Sequence, residues 1–215
     1  MTGQEEQGEQ LAALALGTPW FRDALQAAAR LDLAHWCIGA GAVRNLVWDA
    51  LHGFTRPSSL PDIDLAYFDP ADTSAARDAA LQARLAADDG KQFCPEPTNP
   101  AWEVTNQAGV HRWFEQAFGH AVPPLLSLEH AVASWPEFAT SVGVTLLPDG
   151  RCRIIAPHGL DDLFSMVIRR NPARVSLDTF RQRVAQKCYQ QRWPKVRIVM
   201  DADAIQGDEN FMLKS

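Results

Sequence analysis

The sequence predicts an α+β fold: a short mixed sheet with flanking helices, followed by a smaller C-terminal α/β portion. Three observations predict it. Short apolar runs alternate with segments whose apolar residues recur at three-and-four spacing, so strand and helix periods follow one another along the chain. Glycine and proline clusters mark the changes of period. Pro148-Asp149-Gly150, between the runs 143–147 and 151–155, carries a hairpin signal. The expected division is an N-terminal polar segment and helix over 1–17, a core over 18–125, and a C-terminal portion over 126–215 packed on that core.

Taken in order, Thr18-Pro19 opens a helix, because a hydroxyl cap and a first-turn proline leave no needed donor unmet, and Trp20, Leu25 and Leu31 continue it. Trp36-Cys37-Ile38 is a short apolar run ending at glycine, a buried strand and a tight turn. Val43, Leu46, Val47, Ala50 and Leu51 then follow helical spacing up to Gly53. Residues 54–61 have loop chemistry, and 62–68 form a second strand that begins with two carboxylates. A helix is expected from about 72 to 87, a proline-rich connection over 95–100, and a third strand at Ala101-Trp102-Glu103-Val104. Residues 111–118 read as helical, and 175–189 as a closing helix.

Composition sets bounds on function. The chain has 215 residues, 47% of them hydrophobic, enough to bury a core. Its 20 Lys and Arg against 26 Asp and Glu give a net charge of −6, which argues against a broadly basic nucleic-acid surface but allows a local basic patch. Cys37, Cys94, Cys152 and Cys188 lie far apart, and the histidines show no zinc-site spacing, so no zinc site is expected. Residues 1–10 are polar and acidic and lack the basic start and apolar stretch of a secretory signal. With no apolar run long enough to span a bilayer, the expectation is a cytoplasmic protein with no membrane partner.

The chemistry is expected at Asp62 and Asp64. Strand side chains alternate, so these two carboxylates share one face while Ile63 enters the opposite layer. Two like charges this close repel unless a cation holds both ionised. Magnesium suits them, since it takes hard oxygen ligands and completes its shell with water and substrate phosphates. A solvent-facing or capping pair is the plainer reading of Asp-x-Asp alone. Gly39-Ala40-Gly41 adds a second element: a glycine turn before a helix lets backbone N–H groups approach phosphate, with the helix dipole favouring the charge. A plain tight turn needs glycine equally. The turn is neither a Walker A loop nor a dinucleotide fingerprint. Arg44, one turn into the helix, reaches toward the same phosphates or makes a surface ion pair.

The run Ile38-Gly39-Ala40-Gly41-Ala42-Val43-Arg44-Asn45, followed by Asp62-Ile63-Asp64-Leu65, resembles the head-domain signature of the DNA polymerase β nucleotidyltransferase superfamily. It is similar to the pattern of tRNA nucleotidyltransferases and lincosamide-modifying enzymes. The blocks 102–107, 139–144 and 157–164 resemble a bacterial nucleotidyltransferase-like family within that superfamily, and the resemblance covers most of the chain beyond His35. It implies a polymerase-β-like core. It also implies transfer of a nucleoside monophosphate from a nucleoside triphosphate to a hydroxyl on a small molecule, an RNA end or a protein, with release of pyrophosphate. Asp62, Asp64 and Glu103 are then the catalytic carboxylates and ligands of magnesium, or of manganese in its place. Gly39, Ala40, Gly41, Arg44 and Asn45 are then the nucleotide-binding residues. Glu103 read alone is an exposed strand residue as readily as a ligand. Ala40 replaces the Gly or Ser common in the superfamily turn, and Asn45 replaces the Asp of tRNA-modifying relatives, which speaks against a tRNA-specific role. A nucleotide-binding regulator, or a toxin-like protein with little turnover, is the alternative.

Other clusters carry blander expectations. Asp161-Asp162 reads as helix-N-terminal acid, because adjacent residues diverge. Arg169, Arg170, Arg174, Arg181 and Arg183 read as a solvated basic face. Trp102, Trp113, Trp135 and Trp193 read as buried anchors, and His52, His120 and His130 as surface or helix-end residues.

Overall fold

The computed structural model describes residues 3–88 and 100–200. Helix α1 (Gly3–Gly17) buries only Leu11 and Ala15. Helix α2 (Pro19–Ala29) follows at the Thr18-Pro19 signal, although Thr18 makes no side-chain cap, and buries Trp20, Phe21, Ala24 and Leu25. Strand β1 (Trp36–Gly39) is buried throughout and runs into helix α3 (Ala40–His52), which Gly53 ends in the left-handed conformation at φ 68°. Glycine at that position satisfies the last carbonyls without a Cβ penalty.

Strand β2 (Asp62–Tyr67) and helix α4 (Ala75–Asp88) come next. The helix begins three residues later than the sequence predicts because Asp72 and Ser74 spend their side chains on local turns, Oδ1 of Asp72 accepting from the Ser74 amide and Ser74 Oγ from that of Arg77. The expected connection over 95–100 lies outside the described residues apart from Pro100, as does Cys94. Strand β3 (Ala101–Asn106) is two residues longer than expected. Its last residue, Asn106, is buried and hydrogen-bonded to the loop after β2, Nδ2 donating to the carbonyls of Asp69 and Asp72. The helix expected over 111–118 is instead a 3-10 segment (Gln107–Arg112) capped by Asn106 and a short helix α5 (Phe114–Phe118).

Helix α6 (Leu128–Ala133) leads to the predicted hairpin of β4 (Gly143–Leu146) and β5 (Cys152–Ile155). Helix α7 (Asp161–Phe164) carries Asp161 and Asp162 in its first turn, and Asp162 accepts both hydrogen bonds of a bidentate pair with Arg169 at 2.8 Å. Strand β6 (Val167–Arg169) pairs in parallel with β7 (Arg197–Val199), a small sheet the sequence reading did not contain. Between them the expected closing helix is broken. Helix α8 (Leu177–Lys187) stops at Cys188, which takes φ 48°, and the short helix α9 (Tyr189–Arg192) leaves in a new direction.

The main sheet has the order β3-β2-β1-β4-β5, with β2 and β3 parallel and the other neighbours antiparallel. It is the expected mixed sheet with flanking helices, and it draws β4 and β5 from beyond residue 125. Two glycines let it pack closely. A Cβ on Gly39 would lie 2.5 Å from the Trp135 ring and 2.9 Å from the Val142 carbonyl oxygen, and one on Gly143 would lie 2.5 Å from Cys37 Sγ. The main core continues where α3 meets α9: Trp48 stacks edge-on against Trp193 at 5.3 Å and against Tyr189 at 6.0 Å. Trp48 Nε1 donates to the Leu163 carbonyl, and Trp193 Nε1 to Asp49, both at 2.8 Å. Trp102 is also buried and Trp135 partly so, but Trp113 is 45% exposed, against the expectation of a buried anchor. No helix among the described residues is long and apolar enough to cross a membrane.

Candidate functional site

The turn between β1 and α3 departs from a simple glycine turn. Gly39 is extended, at φ −148°, and the left-handed position falls on Ala40 at φ 49°. Gly39 is small because Trp135 and the Val142 carbonyl crowd it, whereas Gly41 meets only ordinary contacts, the nearest being Arg44 Nη2 at 3.7 Å from a built Cβ. The Ala40 amide donates to the Val142 carbonyl at 3.3 Å, and Gly39 supplies no side-chain cap, so the amides of Gly41 and Ala42 have no side-chain acceptor from that position. These are the groups that accept an anion at a helix N-terminus.

Asp62, Asp64, Ala40, Gly41 and Arg44 line one cavity of about 470 Å³. The same cavity is lined by Arg183, Lys187 and Arg192, three cations that α8 and α9 carry in from far along the sequence. Asp62 and Asp64 also line an adjoining cavity of about 300 Å³ with Glu103. The parallel register places Glu103 opposite Asp64. The three predicted carboxylates are thus brought to one place, Asp62 and Asp64 partly buried and Glu103 exposed. Burial, then the charges of Asp62 and Glu103, push Asp64 up to about 7, while Lys187 and Arg44 pull it back. A carboxyl disfavoured in this way is relieved by a cation placed between it and its neighbours.

No three His, Cys, Asp or Glu side chains among the described residues form a compact ligand group. Asp62 and Asp64 are hard oxygen donors, which could hold a divalent cation that takes the rest of its shell from water and phosphate. They do not fit a closed structural metal site.

Arg44 is 5% exposed, not a surface residue. Its guanidinium carbon lies 5.2 Å from the Trp193 ring, 5.3 Å from Tyr189 and 5.8 Å from Trp48, a three-sided aromatic cage that favours a cation. Nη2 donates to Asn45 Oδ1 at 2.7 Å, while Nε is buried without an acceptor. Burial lowers its pKa, although guanidinium remains charged in any protein. Asn45 is 1% exposed, and Nδ2 donates to the Ser59 carbonyl. Asn45 does not line the cavity; it fixes Arg44 and the loop before β2.

Arg183, expected on a solvated face, instead donates Nε to the fully buried Glu137 at 2.8 Å, and Thr140 donates to the same carboxylate at 2.9 Å. Burial alone would lower Arg183, but the hydrogen bond and charge of Glu137 outweigh it and raise the pKa. Arg192 bridges back to the Ser59 carbonyl and stacks 4.3 Å over Trp193. Lys187, Arg192 and Glu137 were absent from the sequence reading. The one available signal was Arg183 and Lys187 at i,i+4, which places both on one helix face.

The description of one protein family, nucleotidyltransferase, applies to the family model that matches residues 26–198. An NMR structure described as revealing a CCA-adding enzyme head domain aligns with a TM-score of 0.71 at 24% identity, over 89% of this chain and 95% of that one. That likeness establishes a shared fold. A structure of a tRNA-processing enzyme in an apo form aligns at a TM-score of 0.48 and 16% identity, covering 100% of this chain and 50% of the other. Among curated protein sequences none matches this chain.

Proposed function

We propose, given that the chain belongs to the nucleotidyltransferase family, that it moves a nucleoside monophosphate from a nucleoside triphosphate onto a hydroxyl acceptor through Asp62, Asp64 and Glu103. The observation that carries this reading is the cavity itself: two carboxylates at a strand mouth face four cations and an uncapped helix N-terminus across one space. Acids alone would serve a cation, and bases alone would serve phosphate. Together they suit a metal-bound triphosphate.

In this reading the amides of Gly41 and Ala42 and the cations Arg44, Arg183, Lys187 and Arg192 hold the triphosphate and neutralise the leaving pyrophosphate. Asn45 positions Arg44. Asp62 and Asp64 would hold magnesium, or manganese in its place, which when bound stabilises the attacking and leaving oxygens. Glu103, exposed on the neighbouring strand, takes the proton of the attacking hydroxyl. That oxygen forms the new bond to the α-phosphorus, the bond between the α-phosphorus and the bridging oxygen breaks, and pyrophosphate leaves with the electron pair.

The test is incubation with each α-labelled nucleoside triphosphate, magnesium or manganese, and separate pools of metabolites, RNA and protein, beside Asp62→Asn. Label should enter one pool with the parent protein and none with the variant. Nucleotide binding without label in any pool would replace this reading with that of a nucleotide-binding regulator.

A further inference from the structure

A third cavity, of about 650 Å³, opens beside the carboxylates and meets the cationic cavity at Pro136, Arg183 and Gln186, without Arg44, Lys187 or Arg192 in its lining. One wall is aromatic. Trp113, Phe114 and Phe118 cluster there, Phe114 and Phe118 with ring centroids 4.5 Å apart, and His120 sets its edge against Phe114 at 5.3 Å. Trp113 and Phe118 are 45% and 55% exposed, unusual for adjacent large aromatics unless a ligand or partner covers them. The facing wall comes from α8, with Thr179 and Gln182 presenting amide and hydroxyl groups. Arg174 closes one end, its guanidinium 5.3 Å over the Phe114 ring and Nη2 donating to the Pro123 carbonyl at 3.3 Å.

The cleft is continuous with the reaction site. Thr105, Gln107, Trp135, Pro136 and Arg183 line both it and the smaller cavity that holds Asp62, Asp64 and Glu103. Thr105 lies two residues beyond Glu103 on the same face of β3. A molecule seated in the cleft therefore extends toward Glu103, while in the proposed reaction the triphosphate occupies the cationic cavity that Asp62 and Asp64 also line. The volume falls in the range of small-molecule sites. The lining contains no Asp or Glu, and its cations are Arg174 and the Glu137-bound Arg183. That charge pattern rejects a cationic ligand. It also lacks the track of lysines and arginines that an RNA backbone requires.

We infer that this cleft is the acceptor site, and that the acceptor is a small aromatic molecule, neutral or anionic, presenting its hydroxyl to Glu103. The inference rests on the proposed transfer reaction for the role of acceptor. The ligand class rests on the cleft alone. The ring stacks on Trp113 and Phe118, an acidic substituent meets Arg174, and the hydroxyl reaches past Thr105 to the carboxylates. The transfer step is the one balanced above, with the acceptor oxygen as nucleophile.

The full chain is titrated with anilinonaphthalene sulfonate, an aromatic anion, and with proflavine, an aromatic cation, each with and without saturating ATP and magnesium. The anion should bind and survive ATP, and the cation should bind at least about tenfold more weakly, a difference of about 1.4 kcal/mol. Phe118→Ala and Arg174→Gln should each weaken the anion about tenfold or more while leaving ATP affinity and melting temperature unchanged. Equal binding of both dyes, displacement of the anion by ATP, or indifference to both substitutions would overturn the inference. So would displacement by an RNA pool, or a dimer that either substitution dissociates. Asp62→Asn separates the two readings: transfer that survives it refutes the reaction, while the dye results still decide the ligand class.

Discussion

Glu103 stands directly across the parallel β2–β3 pairing from Asp64, while Asp62 faces Ala101. Asp64 is therefore the acid that feels both of the others, and Glu103 is the one left to solvent. Glu103→Gln should lower transfer by about a hundredfold, the low end of what a general base contributes, with nucleoside triphosphate affinity changed less than about twofold. Steady-state kinetics beside a nucleotide titration measure both. A matching loss of nucleotide affinity would place Glu103 among the triphosphate contacts instead.

The strained acidity of Asp64 has a stability signature. Burial, then the charges of Asp62 and Glu103, push its carboxyl up to about 7 in the folded protein against 3.8 ordinarily. Between those values the folded state holds a proton that the unfolded chain has released, so this group's contribution to stability falls as pH rises from about 4 to about 7. Asp64→Asn removes that loss. From pH 5 to pH 8 the parent protein should lose more stability than Asp64→Asn, by on the order of 1 kcal/mol after allowance for solvent screening. Magnesium should restore the parent at pH 8 and leave the variant unmoved. Thermal melts at the two pH values, with and without the ion, decide it.

Arg44 joins structure to binding. Removing its guanidinium leaves an empty space inside three aromatic rings and strips a cation from the phosphate cavity. Arg44→Ala should cost about 2 kcal/mol in denaturant unfolding and raise the dissociation constant for nucleoside triphosphate at least about tenfold. Arg44→Lys keeps the charge without the planar fork, so it should recover most of the stability and less of the affinity.

Ala40 occupies a backbone region that suits glycine, and a left-handed conformation costs a residue with a Cβ roughly 1–2 kcal/mol. Ala40→Gly should stabilise the fold by about 0.5–1 kcal/mol, part of the relief being offset by the greater freedom of glycine in the unfolded chain. Nucleotide affinity should hold, since the contact there is made by backbone. A fall in melting temperature would mean that the methyl group packs more favourably than the turn is strained.

These residues show where sequence reasoning reaches and where it stops. The face shared by Asp62 and Asp64 follows from strand alternation, and the hairpin at Pro148-Asp149-Gly150 from turn chemistry, so both were legible locally. The β1–α3 turn was legible as a turn, but not in which residue bears the positive φ, because crowding by Trp135 and Val142 sets that choice from a distance. Lys187 and Arg192 enter the site only because α8 and α9 fold back across it, and Glu137 enters from the segment between α6 and β4. No local period announces that approach. The strands β6 and β7 are three residues each, too short to show alternation.

The close approaches at Gly39 and Gly143 bear on how this sequence is free to change over time. Each glycine is the vacant half of a fixed volume whose other half is Trp135 or Cys37. A methyl gained at 143 requires position 37 to give up its Cβ, 2.9 Å away, as well as its sulfur, and at Gly39 the Val142 carbonyl bars even such an exchange. Divergent relatives should therefore drift at positions 37 and 143 as a pair, trading bulk between them. Position 39 should stay still while Trp135 varies in shape around it.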